Sequence, residues 1–206
     1  QLQRSGTNHG AVLDLGSTVS DDNWVMHFKL DINSASTSLS NPIALYLSDS
    51  QLVGIGTNKD AIGLGLHNDG GTGFKLVAPR DSYSHALDQS YQSSIIGNPI
   101  AGTYYIEIIR NTSTSATLNI YPDSSFSGTP TVTTTETINA LTDGLQYAVV
   151  QGMNDGGSGG TWDISIDDLK IYDGVTSVLA QPVTSFEDKS TNSIAISGVG
   201  AYFGGD

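Results

Sequence analysis

The chain has 206 residues, with 21 acidic against 8 basic side chains, 24 glycines and no cysteine. A net charge of −13 repels phosphate backbones and anionic lipid, which argues against nucleic-acid binding, and the missing thiols exclude disulfide scaffolds, cysteine zinc sites and thiol nucleophiles. The acids are 18 Asp against 3 Glu, joined by 12 Asn, 26 Ser and 20 Thr, a turn-rich and helix-poor mixture that predicts an extracellular all-β domain.

Taken in chain order, the apolar residues recur with period two and not with helical spacing. Strands are predicted over residues 11 to 15 (AVLDL), 24 to 31 (WVMHFKLD), 43 to 48, 61 to 67, 73 to 78, 103 to 110, 116 to 121, 131 to 137 and 145 to 151. In the second of these, Trp24, Met26, Phe28 and Leu30 share a core-facing side, while Val25, His27, Lys29 and Asp31 share the other. GTYYIEIIRNTSTSATLNIYPD reads as a hairpin around a polar turn. Asn111 in that turn heads an Asn-Thr-Ser acceptor pattern and is a candidate glycosylation site. Strands this frequent, without helical interludes, predict a two-sheet antiparallel β-sandwich. No apolar run reaches the roughly 18 residues of a membrane span, so membrane insertion is not expected.

Two segments break phase. In TWDISIDDLKIYD, Trp162, Ile164 and Ile166 fall on even positions, and Leu169 and Ile171 on odd ones, which predicts a β-bulge at Asp167–Asp168. A similar slip separates Ile194 and Ile196 from Ala201 and Phe203 across a Gly-containing GVG. The near-identical hexapeptides NDGGTG (68 to 73) and NDGGSG (154 to 159) read first as turns needing positive φ, and second as loops able to hold a cation or sugar.

Catalytic signatures are weak. Glu107, Glu136 and Glu187 do not cluster in sequence with a second acid at glycosidase spacing, and no Gly-x-Ser-x-Gly elbow occurs. His9, His27, His67 and His85 are isolated, which suits surface or hydrogen-bonded histidines better than metal ligands. The chain is therefore expected not to be an enzyme. Eighteen aspartates make calcium the cofactor to consider, against the plainer reading of a solvated acidic surface. Trp24 and Trp162 follow the core phase, which leaves Tyr83, Tyr91 and Tyr105 as candidate sugar platforms, with Tyr83 and Tyr91 in a long polar loop.

WDISIDDLKIYDG resembles the closing strand of concanavalin A-like, laminin-G-like jelly rolls and of related β-sandwich carbohydrate-binding modules. AVLDLGSTVSDDNWVMHFKLDI resembles their early strands, and GTYYIEIIRNTSTSATLNIY their central hairpin. VTSFEDKSTNSIAISGVGAYFGGD, residues 183 to 206, resembles their opening strand, yet it comes last. The resemblance thus implies a jelly-roll body over 1–174, a linker over 175–182 and a C-terminal strand over 183–206 that completes its own sandwich or a neighbour's. It also implies a structural calcium joining Glu187 to Asp168 and Asp167.

The displaced strand leads to the first functional expectation, a non-enzymatic extracellular building block. It would polymerise head to tail by exchanging Phe186, Ile194, Ile196, Ala201 and Phe203 into the next copy. The alternative is a carbohydrate-binding module contacting glycan through Tyr83 and Tyr91.

Overall fold

The computed structural model describes residues 2–5, 8–35, 43–51, 60–67, 73–77, 101–138, 140, 142–153, 162–178, 194–197 and 200–203. These contain strands and turns and no helix. In chain order the strands are β1 (Leu2–Ser5), β2 (Asn8–Asp14), β3 (Trp24–Ala35), β4 (Ile43–Ser48), β5 (Ala61–His67) and β6 (Gly73–Val77). There follow β7 (Gly102–Thr112), β8 (Ser115–Tyr121), β9 (Val132–Thr137), β10 (Tyr147–Met153), β11 (Trp162–Asp173), β12 (Ile194–Ser197) and β13 (Gly200–Phe203).

They form one sheet in the order β1-β2-β10-β4-β5-β6 and a second in the order β13-β12-β11-β3-β7-β8-β9, with antiparallel neighbours throughout. The chain is a two-sheet antiparallel β-sandwich. Its predicted strands are all present, with β1 added and β3 extended to Ala35. The β7–β8 hairpin turns through Ser113 and Thr114, and this places Asn111 in β7 itself.

Period two explains the packing. On β3 the even residues Trp24, Met26, Phe28, Leu30 and Ile32 enter the core between the sheets and meet residues such as Leu45, Leu64 and Val150 from the other layer. Full burial of such side chains contributes roughly 1.5–3 kcal/mol each, which is why the phase of β3 fixes the register of its neighbours. The odd residues are not simply solvated, since Val25 and His27 are buried as well. Residues 122–131, between β8 and β9, set Phe126 against the His27 ring and cover that end of the outer face.

A bulge is present, one residue beyond the predicted Asp167–Asp168 pair. Asp167 pairs with Lys29 and Lys170 with His27, so Asp168 and Leu169 together oppose Phe28. Asp168 adopts φ 55°, a left-handed conformation that Asp tolerates better than most residues, and its N–H donates to the Asp167 carboxylate at 3.0 Å. Beyond the bulge the parity of β11 inverts, so Ile171 enters the core and Tyr172 lies with His27 on the outer side.

Gly63 marks a close approach. It sits opposite Tyr46 on β4, and a Cβ there would collide with the Leu45 carbonyl oxygen and with Tyr46. Gly63→Ala is therefore expected to destabilise the fold by about 1–3 kcal/mol in denaturant titration. Asp168→Val is expected to cost about 1–2 kcal/mol in thermal unfolding, and Asp168→Gly nothing, because a β-branched residue resists positive φ strongly and glycine does not resist it.

Candidate functional site

The outer face of the seven-stranded sheet is built by the odd residues of β3 and β7 and their register partners. His27 lies opposite Glu107, and Glu107 opposite Asn119, so one row of polar side chains crosses three strands. The next row is Asp167, Lys29, Tyr105 and Tyr121, and beyond it lie Ser165, Asp31 and Thr103.

The first row is buried, His27 being 2% and Glu107 5% exposed. A carboxylate removed from water must be given donors, and Glu107 has three. His27 Nε2 donates to its Oε2 at 2.6 Å, while Asn119 Nδ2 at 2.8 Å and the Tyr121 hydroxyl at 3.1 Å donate to its Oε1. Burial pushes the Glu107 pKa upward, but these hydrogen bonds and the attraction of His27 outweigh it and hold the carboxyl below its ordinary range. Tyr121 responds in the opposite sense. Burial first, then the Glu107 charge and their shared hydrogen bond, push its pKa up to about 12.

Three rings surround the Phe126 ring, and a fourth meets His27. Phe126 lies parallel to His27, with ring centroids 3.8 Å apart and planes at 9°. Tyr105 and Tyr121 meet the Phe126 ring edge-on at 6.2 and 5.8 Å, and Tyr172 meets His27 edge-on at 5.4 Å. Phe126 itself has φ 50°, a conformation that a bulky side chain rarely adopts. Its loop is closed at the base by Thr131, whose N–H and hydroxyl both donate to the Ile120 carbonyl, and organised at the tip by Asp123, which accepts from the Ser125 N–H and hydroxyl.

Next to the rings the face becomes polar and more open. Lys29 Nζ pairs with Asp31 at 2.7 Å, and the Thr103 hydroxyl donates to the same carboxylate at 2.5 Å. The Asp31 hydrogen bond, opposed by burial and aided by the charges of Asp31, Tyr105 and Asp167, raises the Lys29 pKa, so the ammonium is kept at neutral pH.

A second buried charge closes one end of the sandwich. Arg110, on the inner side of β7 opposite Trp24, is fully buried, with Nη2 donating to the Ser113 carbonyl at 3.2 Å. Burial lowers its pKa, and Asp21, Asp22, Asp143 and Asp60 act against that shift. The loops bearing these acids are themselves joined, by Asp143 N–H to Asp60 and Gly144 N–H to Asp21. Part of the acidic repulsion is thus answered by an internal arginine.

Of the predicted site residues, the structure places Asp167 and Asp168 together at the bulge, Asp167 half-buried and Asp168 exposed. Consecutive carboxylates are the hard oxygen donors that calcium takes. Glu187, Phe186, Tyr83, Tyr91 and both Asn-Asp-Gly-Gly repeats, apart from Gly73 in β6, lie outside the described residues. Among those described, no three His, Asp or Glu side chains converge as a metal group. Ile194 and Ile196 stand on β12, opposite Ile166 and Ile164, and Ala201 and Phe203 on β13 pair back onto them. Asn111 is half-buried, its amide donating to the Thr117 hydroxyl at 2.8 Å. Tyr105 does stand on the outer face. The cluster around Glu107 went unseen in the sequence because its members come from three strands.

No protein-family model matches the sequence, and no curated protein matches it. Among solved structures the chain is similar to the binding domain of botulinum neurotoxin serotype D, with TM-score 0.50 and 14% identity over 85% of this chain and 39% of that one. A second structure, the receptor binding domain of botulinum neurotoxin D, gives TM-score 0.50 and 14% identity over 85% of this chain and 40% of that one. The likeness is one of fold. The chain spans about two fifths of the length of these domains. The CBM2 module of a Lactobacillus casei BL23 phage J-1 evolved Dit aligns at TM-score 0.45 and 12% identity, over 80% of this chain and 67% of that one. No helix among the described residues is long and apolar enough to cross a membrane.

Glu107→Ala would leave His27 and Asn119 buried without their acceptor and is expected to destabilise the fold by about 3 kcal/mol. Because the folded-state pKa of Glu107 lies below its ordinary 4.5, its contribution is complete above that pH and is lost as pH falls through the folded value. Tyr121 loses its contribution as pH rises from 10.0 towards about 12. Denaturant midpoints measured across pH for the wild type and Tyr121→Phe check both, and the alkaline loss should shrink in Tyr121→Phe.

Proposed function

We propose that this chain is a non-enzymatic, extracellular carbohydrate-binding module whose glycan lies on the outer face of the seven-stranded sheet. The observation carrying this reading is the side-by-side arrangement of half-buried Tyr105 and Tyr121 with a polar row whose hydrogen bonds are already made. A sugar presents apolar C–H faces and polar hydroxyls at once, and suits a ring platform beside fixed donors and acceptors. Lys29, Asp31 and Thr103 extend that polar lining where the face opens. The net charge of −13 favours a neutral glycan over a sulfated or sialylated one. The fold is shared with receptor-binding domains, which is an analogy of architecture only.

Tyr105→Ala is expected to weaken binding to neutral oligosaccharides by up to roughly tenfold in calorimetry, the upper end for loss of an aromatic contact. Unchanged affinity would move the site elsewhere, and silence across a glycan array would overturn the reading.

A second reading is supported by the C-terminal strands. β12 and β13 add to β11 as a hairpin at the sheet edge, reached through residues 179–193, and an edge hairpin of that kind is what chains exchange when they assemble head to tail. If exchange operates, light scattering will give masses that grow with concentration, and Ile196→Pro, which removes an N–H from the β12 ladder, will suppress them; a monomer at all concentrations refutes it. Calcium held by Asp168 with Asp167 and Glu187 would anchor the same segment. Chelator should then lower the thermal midpoint of the wild type and leave that of Asp168→Asn unchanged.

A further inference from the structure

Phe126 is the least expected residue on the glycan face. It belongs to a loop of Ser, Gly, Pro and Asp, where no apolar anchor is needed, and it adopts φ 50° to fold back onto the sheet. Its ring is held flat on His27 at 3.8 Å, with the Tyr105 and Tyr121 rings standing edge-on around it. The His27 ring donates in turn to Glu107, whose carboxylate also accepts from Asn119 and Tyr121. A flat apolar group bounded by aromatic rings over a hydrogen-bonded floor is the position that the C–H face of a hexose takes in a stacking subsite.

We infer that Phe126 is an intramolecular occupant of the glycan subsite, which a neutral hexose displaces when it binds. This rests on the carbohydrate reading above and goes further by naming what fills the subsite in the free chain. Two features make displacement feasible. The left-handed backbone at Phe126 is relieved when the residue leaves, and Gly128, with φ 82°, follows two residues later as a second permissive point. The loop base is held independently by Thr131 on the Ile120 carbonyl, so residues between the two ends can move without unpairing β9 from β8. The floor needs no rearrangement, because its hydrogen bonds run between β3, β7 and β8 and involve no loop residue.

Occupancy by Phe126 lowers apparent affinity by the fraction of chains in which the subsite is free. If that fraction is about one tenth, Phe126→Ala tightens binding about tenfold. Affinities for cello-, laminari-, manno- and galacto-oligosaccharides would be measured by calorimetry on the wild type, Phe126→Ala, Phe126→Leu and Tyr105→Ala. The expected result is tighter binding by Phe126→Ala, an intermediate gain for Phe126→Leu and a loss for Tyr105→Ala. Wild-type binding that needs Tyr105 but is unchanged or weakened in both Phe126 variants overturns the occupant and leaves the carbohydrate reading standing. No binding by any of the four overturns both. A second measurement needs no variant. The His27 ring protons, shielded by the stacked Phe126 ring, should move downfield in NMR spectra as the wild type is saturated, and signals that stay in place while sugar binds also overturn the inference.

Discussion

A carboxylate inside a protein must be surrounded by donors or give up its charge, and the outer face of the seven-stranded sheet is organised by how Glu107 meets that demand. Its three donors come from His27 on β3 and from Asn119 and Tyr121 on β8, so a single side chain holds three strands in one lateral alignment. The His27 ring, turned by this bond, presents a flat surface to Phe126, and the Tyr121 hydroxyl, bound to the same carboxylate, fixes the ring that flanks it. The aromatic box is therefore a consequence of the polar row, not an independent feature.

Much of the architecture was legible in advance. Period two on WVMHFKLD placed Trp24, Met26, Phe28 and Leu30 in the core, and the parity change between Ile166 and Leu169 located the bulge to within one residue, at Asp168–Leu169 where Asp167–Asp168 was expected. Both are local consequences of alternation, which a linear sequence records. β1, the four residues LQRS, has no apolar alternation to betray it and forms by pairing with β2.

The site was hidden for a different reason. His27 and Glu107 are 80 residues apart and Glu107 and Asn119 are 12 apart, and only strand register brings them together. A histidine on the polar side of an amphipathic strand looks solvated, and His27 is buried because Phe126 lies over it. Phe126 in turn sits in a segment whose Ser, Gly and Pro content marks a turn, and nothing local shows that the turn bends inward. Arg110 escaped notice in the same way. It lies near the end of a strand, where a cation usually reaches solvent, yet here it is fully buried in the field of Asp21, Asp22, Asp60 and Asp143.

The bulge separates two differently paired halves of β11. Among the described residues β12 pairs with Asp163 to Ile166, ahead of the bulge, whereas Tyr172, which contacts His27, lies beyond it. Tension on the C-terminus would unzip β13 and β12 from the first half of β11 one rung at a time and stop where their ladder ends. The second half, paired among the described residues to β3 alone, would keep its Tyr172–His27 contact. The proposed tether and the proposed recognition face thus fall on opposite ends of one strand, separated by the bulge.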